Sequence, residues 1–146
     1  MDRLPRLRML SEGPRDLTAF IEIENGRPTF IQGGGYGEIW TGLYRDKHCS
    51  MHLKKVAVKH LRSRSSMPAD VQKLQARLWR EISVWQRLRH EHVLPLLGTV
   101  SIPLAGVWMT EVGMVSKWME HGDLHQYLKD RSLTDAQRLT LFMRMG

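Results

Sequence analysis

The segment "IQGGGYGEIW", Ile31 to Trp40, places glycine at positions 33, 34, 35 and 37. Glycine lets a backbone turn sharply and approach a bound group closely, so the cluster reads as a phosphate-binding loop. The residues after the glycines decide the fold. Ile39, Thr41 and Leu43 alternate with Trp40, Gly42 and Tyr44, a period of two that belongs to a strand. A dinucleotide-binding turn instead opens a helix whose N-terminus holds the pyrophosphate. With a strand through Thr29 to Ile31 leading in, the glycines form the tip of a hairpin, a flap between two strands.

The chain after the flap supplies a cation and an anion. "HLKKVAVKHLR" is a third strand, with Val56 and Val58 on one face and Ala57, Lys59 and Leu61 on the other. The polar connection "SRSSMPAD" ends at Asp70, read as a helix N-cap. From Val71 to Leu88, apolar residues recur at steps of three and four: Val71, Leu74, Leu78, Ile82, Trp85 and Leu88. Counting from Leu74 at about 100° per residue puts Leu78 near about +40°, Trp85 near about +20° and Glu81 near about −20°. Glu81 therefore lies within the apolar stripe. An unpaired buried carboxylate costs several kcal/mol or takes up a proton, so Glu81 calls for a cation. Lys59 on the strand and Arg77 one turn away on the helix are the two candidates.

"HVLPLLGTV" and "GMVSKWM" read as two further strands, joined through "SIPLAGVWMTEV", and "HGD" turns the chain into the short helix "LHQYLKD". "SLTDAQRLTLFMRM" begins another helix, capped by Ser132 or Thr134. Upstream, residues 1–16 read as a basic, disordered tail, followed by a short helical start at Asp16 and a turn at Asn25-Gly26.

The 146 residues are one domain's worth of chain, and the single cysteine, Cys49, excludes an internal disulfide. No apolar run approaches the length of a membrane helix, and no continuous apolar stretch follows the basic N-terminus as in a secretory signal. A mitochondrial presequence fits the early arginines but not Asp2, Glu12 and Asp16, so a cytoplasmic location without membrane contact is expected. The net charge of +7 permits nucleic-acid contact. Its spread over several segments, without interleaved stacking aromatics or a Cys/His finger, favours a solvated basic face, so no nucleic-acid partner is expected. His121 and His125, or His90 and His92 about Glu91, have ligand-like spacing without a third ligand, so no metal site is assigned. Cys49 beside His48 lacks an orienting third group for a nucleophile.

Taken in order, the flap, the lysine strand, the glutamate helix, two strands and a linker resemble the N-terminal lobe of a eukaryotic protein kinase. The likeness is to the tyrosine-kinase-like group, notably fungal members with "GGGYGEIW" and "WMEHGDL" phrases, and spans roughly Leu17 to the end. It implies an α+β fold: a twisted antiparallel five-stranded sheet with one helix, then a hinge and the first helices of a C-terminal lobe. The lobe and hinge would occupy residues 17–119, and the start of the second lobe 120–146. In the family's G-x-G-x-x-G-x-V pattern, Gly34 and Gly37 match the second and third glycines, Tyr36 the aromatic tip and Ile39 the valine. Gln32 stands where the first glycine is expected, with Gly33 and Gly35 adding freedom nearby.

"VAVK" matches V-A-I-K, so the resemblance makes Lys59 the ligand of the ATP α/β-phosphates and Glu81 its holder. Ile31, Ile39 and Ala57 would roof the adenine, Ser116 would be the gatekeeper, and Lys117 to Met119 would present hinge backbone. Asp123 would reach the ribose or cap the following helix. Trp85 and Leu96 fall where the family stacks residues between its lobes, and 100–113 is longer than the usual connection.

The family's H-R-D-L-x-x-x-N and D-F-G motifs, which supply the base and the Mg²⁺ ligands, do not occur in these 146 residues. The resemblance thus implies a kinase-domain fragment with an ATP half-site, Mg²⁺ and a protein substrate belonging to the full domain, Ser/Thr more than Tyr. This chain alone is expected to be inactive. A non-catalytic nucleotide- or partner-binding module and a basic nucleic-acid-binding domain stand as the alternatives.

Overall fold

The computed structural model describes residues 13–22, 29–34, 37–45, 53–61, 67–103 and 110–145. The Asn25-Gly26 turn, Gly35, Tyr36, His48, Cys49 and residues 104–109 lie outside them, and the long connection expected over 100–113 is shorter, because paired strands run to Pro103 and from Thr110. After a single 3-10 turn, Thr18–Phe20, come β1 (Ile21–Glu22), β2 (Thr29–Gly34), β3 (Gly37–Arg45) and β4 (Leu53–His60). Helix α1 (Pro68–Trp85), β5 (Leu96–Pro103), β6 (Thr110–Lys117), α2 (Leu124–Asp130) and α3 (Asp135–Met145) complete the order.

The sheet runs β1-β3-β4-β6-β5, with β2 also on β3, and every named pair is antiparallel. Strand β1 pairs with Leu43 and Tyr44, while β2 pairs with Gly37 to Thr41, so the two lie end to end along one edge of β3. Five strand positions result, as in the expected lobe.

Alternation along β4 divides the core into two layers. Val56 and Val58 join Leu17, Trp40, Val100, Ile102 and Val115 on one face of the sheet. Leu61 joins Met114 and the α1 residues Leu78 and Ile82 on the other, with Leu74, Trp85, Leu96 and Val112 packed around them. The indole N–H of Trp85 donates to the carbonyl of Leu94 at 2.6 Å, satisfying the one polar atom of a largely apolar side chain.

Asp70 is not the N-cap of α1. The cap is Met67 and Pro68 is the first helical residue, where proline's missing N–H costs nothing and its fixed φ suits the helix. Asp70 sits in the first turn, its negative charge facing the positive end of the helix. The helix also stops before the apolar stripe does. Leu88 lies in the turns after Trp85 and is exposed.

Upstream of Leu17 the chain runs along the edge of β5. Leu17 N–H donates to the Thr99 carbonyl at 2.8 Å and Thr99 N–H to the Arg15 carbonyl at 2.9 Å, which buries Leu17 against the sheet. Asp16 accepts from the backbone N–H of Thr18 at 2.9 Å and from its hydroxyl, fixing the 3-10 turn. Of the two expected caps for α3, Thr134 serves. Its hydroxyl accepts from Gln137 N–H at 3.3 Å and Gln137 Oε1 accepts from Thr134 N–H at 3.0 Å, a reciprocal box.

Candidate active site

Residues opposite one another in an antiparallel ladder share a face, so register alone assembles the site. Ile39, Lys59 and Met114 form one row across β3, β4 and β6, and Thr41, Ala57 and Ser116 form the next. Leu96 of β5 extends the second row beyond Ser116. Ile39, Ala57, Lys59 and Ser116, separated by up to 77 residues, thus lie on one surface about two strand steps across. Thr41 and Met114 join them without being among the residues expected from sequence. The alternation of Ile39, Thr41 and Leu43 and the strand "GMVSKWM" imply where they sit, but neither carries a charge that would mark it.

This is the α1 face. Met114 packs on Leu78 and Ile82, and the Lys59 ammonium forms an ion pair with the Glu81 carboxylate. The two side chains retain 32% and 27% of their exposure, so the pair is half-buried. A pair at this level of exposure adds on the order of 1 kcal/mol or less to stability. Its main effect is directional: Glu81 holds the long lysine stem in place while the ammonium keeps further donors for a second anion.

The flap lies beside this row. Gln32, Gly33 and Gly34 pair with Ile39, Glu38 and Gly37 as the two arms of a hairpin. The register shifts between Phe30 and Gln32, so Ile31 is the extra residue of a bulge, a device that re-aims a strand. Gly37 rests on the neighbouring strand. A Cβ added there would fall 2.6 Å from the His60 carbonyl oxygen, so a side chain at this position would prise β3 off β4.

At the opposite end, Ser116 is buried and Lys117 ends β6. Trp118 leaves the sheet held by Lys55: its N–H donates to the Lys55 carbonyl at 3.4 Å, and Lys55 Nζ lies 4.4 Å from the indole centroid. Met119 is exposed, and its carbonyl accepts from Gly122 N–H at 3.0 Å, a turn that Gly122 completes at φ +69°. Asp123 then caps α2, its carboxylate accepting from Gln126 N–H at 2.8 Å. Of the two roles expected for this aspartate, the cap is the one the geometry displays.

A groove of about 840 Å³ opens on the α1 side, lined by Lys59, Glu81, Trp85, Leu88, His92 and Leu94 among others. Among the described residues no group of three or more His, Cys, Asp or Glu could hold a metal ion. No described helix is long and apolar enough to cross a membrane.

A glycine hairpin, a strand lysine on the same sheet face and a helix glutamate paired with it define the N-terminal lobe of a protein kinase. The chain belongs to the protein tyrosine and serine/threonine kinase family, whose model matches residues 28–145. It is similar to the TGF-beta receptor type-1 proteins of Rattus norvegicus, Homo sapiens and Sus scrofa, at 33% identity over 107 residues in each case. Each match covers 71% of this chain and 18% of the relative, so the chain spans about a fifth of those proteins. Members of this family use ATP and Mg²⁺ and act on protein substrates.

Proposed function

We propose that this chain supplies the ATP-holding half of a protein-kinase domain. The observation that carries the reading is the Lys59/Glu81 ion pair set in the same sheet-face row as Ile39, one row from Ala57 and Ser116. The donor set fits a nucleotide: an ammonium with free donor directions for phosphate, a glycine hairpin beside it, and small or aliphatic side chains where a purine would lie. ATP brings the transferable phosphoryl group. Lys59 neutralises charge on its phosphates, Glu81 fixes the lysine, and the flap with Gly33, Gly34, Gly35, Tyr36 and Gly37 covers them. Ile31, Ile39 and Ala57 roof the base, with Ser116, Lys117 and Met119 along its edge and Asp123 at the ribose end.

The described residues offer no cluster for Mg²⁺, and the base and metal-ligand motifs of the family do not occur in these 146 residues. In this mechanism positioning and metal electrostatics supply nearly all of the rate, so phosphate transfer by the 146-residue chain alone is expected to be undetectable. Thermal unfolding with and without ATP tests the binding reading. A ligand that binds the folded state at about ten times its dissociation constant stabilises by about 1.4 kcal/mol, a shift of several degrees for a domain this size. That shift should vanish in Lys59→Met with the ligand-free melting temperature little changed. Equal shifts in both proteins, or none in the wild type, would overturn the reading.

A further inference from the structure

We propose that His60 is a positioning residue for the glycine flap, acting from the face of the sheet opposite the nucleotide. The proposal rests on the ATP reading above. His60 directly follows Lys59, so its side chain points away from the phosphate row and into the other core layer. There it is 3% exposed, an unusual place for a titratable ring. Three contacts leave from it, and each goes to a strand that borders the phosphate row.

The first is to the flap strand. The imidazole lies against the Trp40 indole with centroids 4.8 Å apart, and the Trp40 Nε1–H donates to Glu38 Oε2 at 3.2 Å. Glu38 is itself the register partner of His60. The second is to β6, where Nε2 faces the Glu111 carboxylate. The third is through the main chain, since the His60 carbonyl is the surface on which Gly37 rests. Residues 37, 38 and 40, the stem of the flap, are all seated on this one residue. Glu111 is the carboxylate that meets its ring, from β6, while Glu38 on β3 is its register partner and accepts from the Trp40 indole.

Burial alone would need none of this, because leucine fills such a site without a carboxylate and an indole against it. The arrangement instead clamps the flap stem to the strand that carries Lys59, and so sets the separation between the two groups that would grip phosphate. It makes no contact with the surface where adenine would lie. Loss of the clamp should therefore weaken recognition of phosphate and spare recognition of the base.

The test uses the whole 146-residue chain, wild type, His60→Leu and Glu111→Gln, with ATP and adenosine as separate probes in calorimetric titration. A cradle displaced by a fraction of an ångström loses much of its grip, so His60→Leu should bind ATP about tenfold more weakly and adenosine within about twofold of wild type. Glu111→Gln, which keeps a polar partner for Nε2, should fall between. A residue that only fills the core would lower both affinities alike, and that outcome overturns the proposal. Hydrogen exchange without ligand gives a second reading that also survives a His60→Leu chain too unstable to titrate, through Glu111→Gln. Faster exchange confined to residues 37–40 supports the clamp, and uniform change across the sheet and α1 rejects it. Wild type that binds neither probe would sink the nucleotide reading, and the exchange pattern would then decide the clamp by itself.

Discussion

The sheet with α1 and the pair of helices after Trp118 are built on different terms. In the first, Met114 and Val115 are both 0% exposed, and each belongs to a separate core layer on its side of β6. In the second, Leu139 is 62% and Met143 75% exposed, and α3 is held locally by its Thr134/Gln137 box. The sheet carries its own core on both faces, whereas the box that caps α3 is a local term of a few tenths to about 1 kcal/mol. Lys59 and Glu81 sit on the part whose geometry is over-determined, as the proposed nucleotide site would require.

The strongest way to break that comparison is truncation in the sheet body. Ile82 is 1% exposed between α1 and β6, so Ile82→Ala removes three methylene-sized groups from a site closed on every side. A loss of about 2–5 kcal/mol is expected in chemical denaturation, large against the total stability of a small domain. A loss below about 1 kcal/mol would mean that the α1 layer is loose and that the Lys59/Glu81 pair is not rigidly held.

Next in size is the seam between residues 15–17 and β5. A Cβ at Gly98 would fall 2.2 Å from the Arg15 carbonyl oxygen and 2.9 Å from the Leu17 side chain. Gly98→Ala should therefore push 15–17 off the sheet edge and cost about 1–3 kcal/mol, as other overpacked sites do. The melting temperature should fall while the helical circular dichroism of the folded state is kept. An unchanged melting temperature would show that Leu17 is dispensable to the outer layer.

The same contrast explains what was legible in the sequence. The flap, the division of β4 between two faces and the place of Glu81 on the apolar stripe of α1 follow from local periodicity, two residues in strands and 3.6 in α1, whereas its pairing with Lys59 is a contact between elements that periodicity left open against Arg77. The first three were readable because each side chain's environment is set by its own strand or helix. The role of Leu17 was not, since it depends on a glycine 81 positions away having no side chain, and "DLTAF" has no period to announce it. Asp70 misled because an acidic residue suits both a cap and a first turn, and the discriminating signal was Pro68 two residues earlier. Nothing in its own strand distinguishes His60. Its partners Trp40 and Glu111 come from two other strands, and pairing across strands is not written in any one of them.

On the weaker side, Leu139→Ala on α3 should change stability by no more than about 0.5 kcal/mol, the range of exposed substitutions away from caps and cores. Guanidinium titration of this variant beside Ile82→Ala measures the comparison directly. A cost near that of Ile82→Ala would place α3 within the same cooperative core.

The smallest effect concerns a single exposed carboxylate. Hydrogen bonds from the hydroxyl and the backbone N–H of Thr18 hold the Asp16 carboxyl below its ordinary pKa of 3.8. A depressed folded-state value means that the unfolded chain binds the proton more readily. The contribution is therefore complete at neutral pH and is lost as pH falls from the ordinary value through the lowered one. Asp16→Asn, which keeps an acceptor but cannot titrate, should remove a small part of the acid-side decline in melting temperature and leave the neutral value nearly unchanged. Because the Thr18 hydroxyl also accepts the backbone N–H of Ser101 at 2.9 Å, the same turn ties the segment to β5 by a bond that does not titrate. Acid should accordingly loosen the turn at Asp16 before it frees Leu17, and proton exchange at the Thr18 amide should rise at a higher pH than exchange at Leu17. The reverse order would assign the hold on this segment to the carboxylate and not to the strand edge.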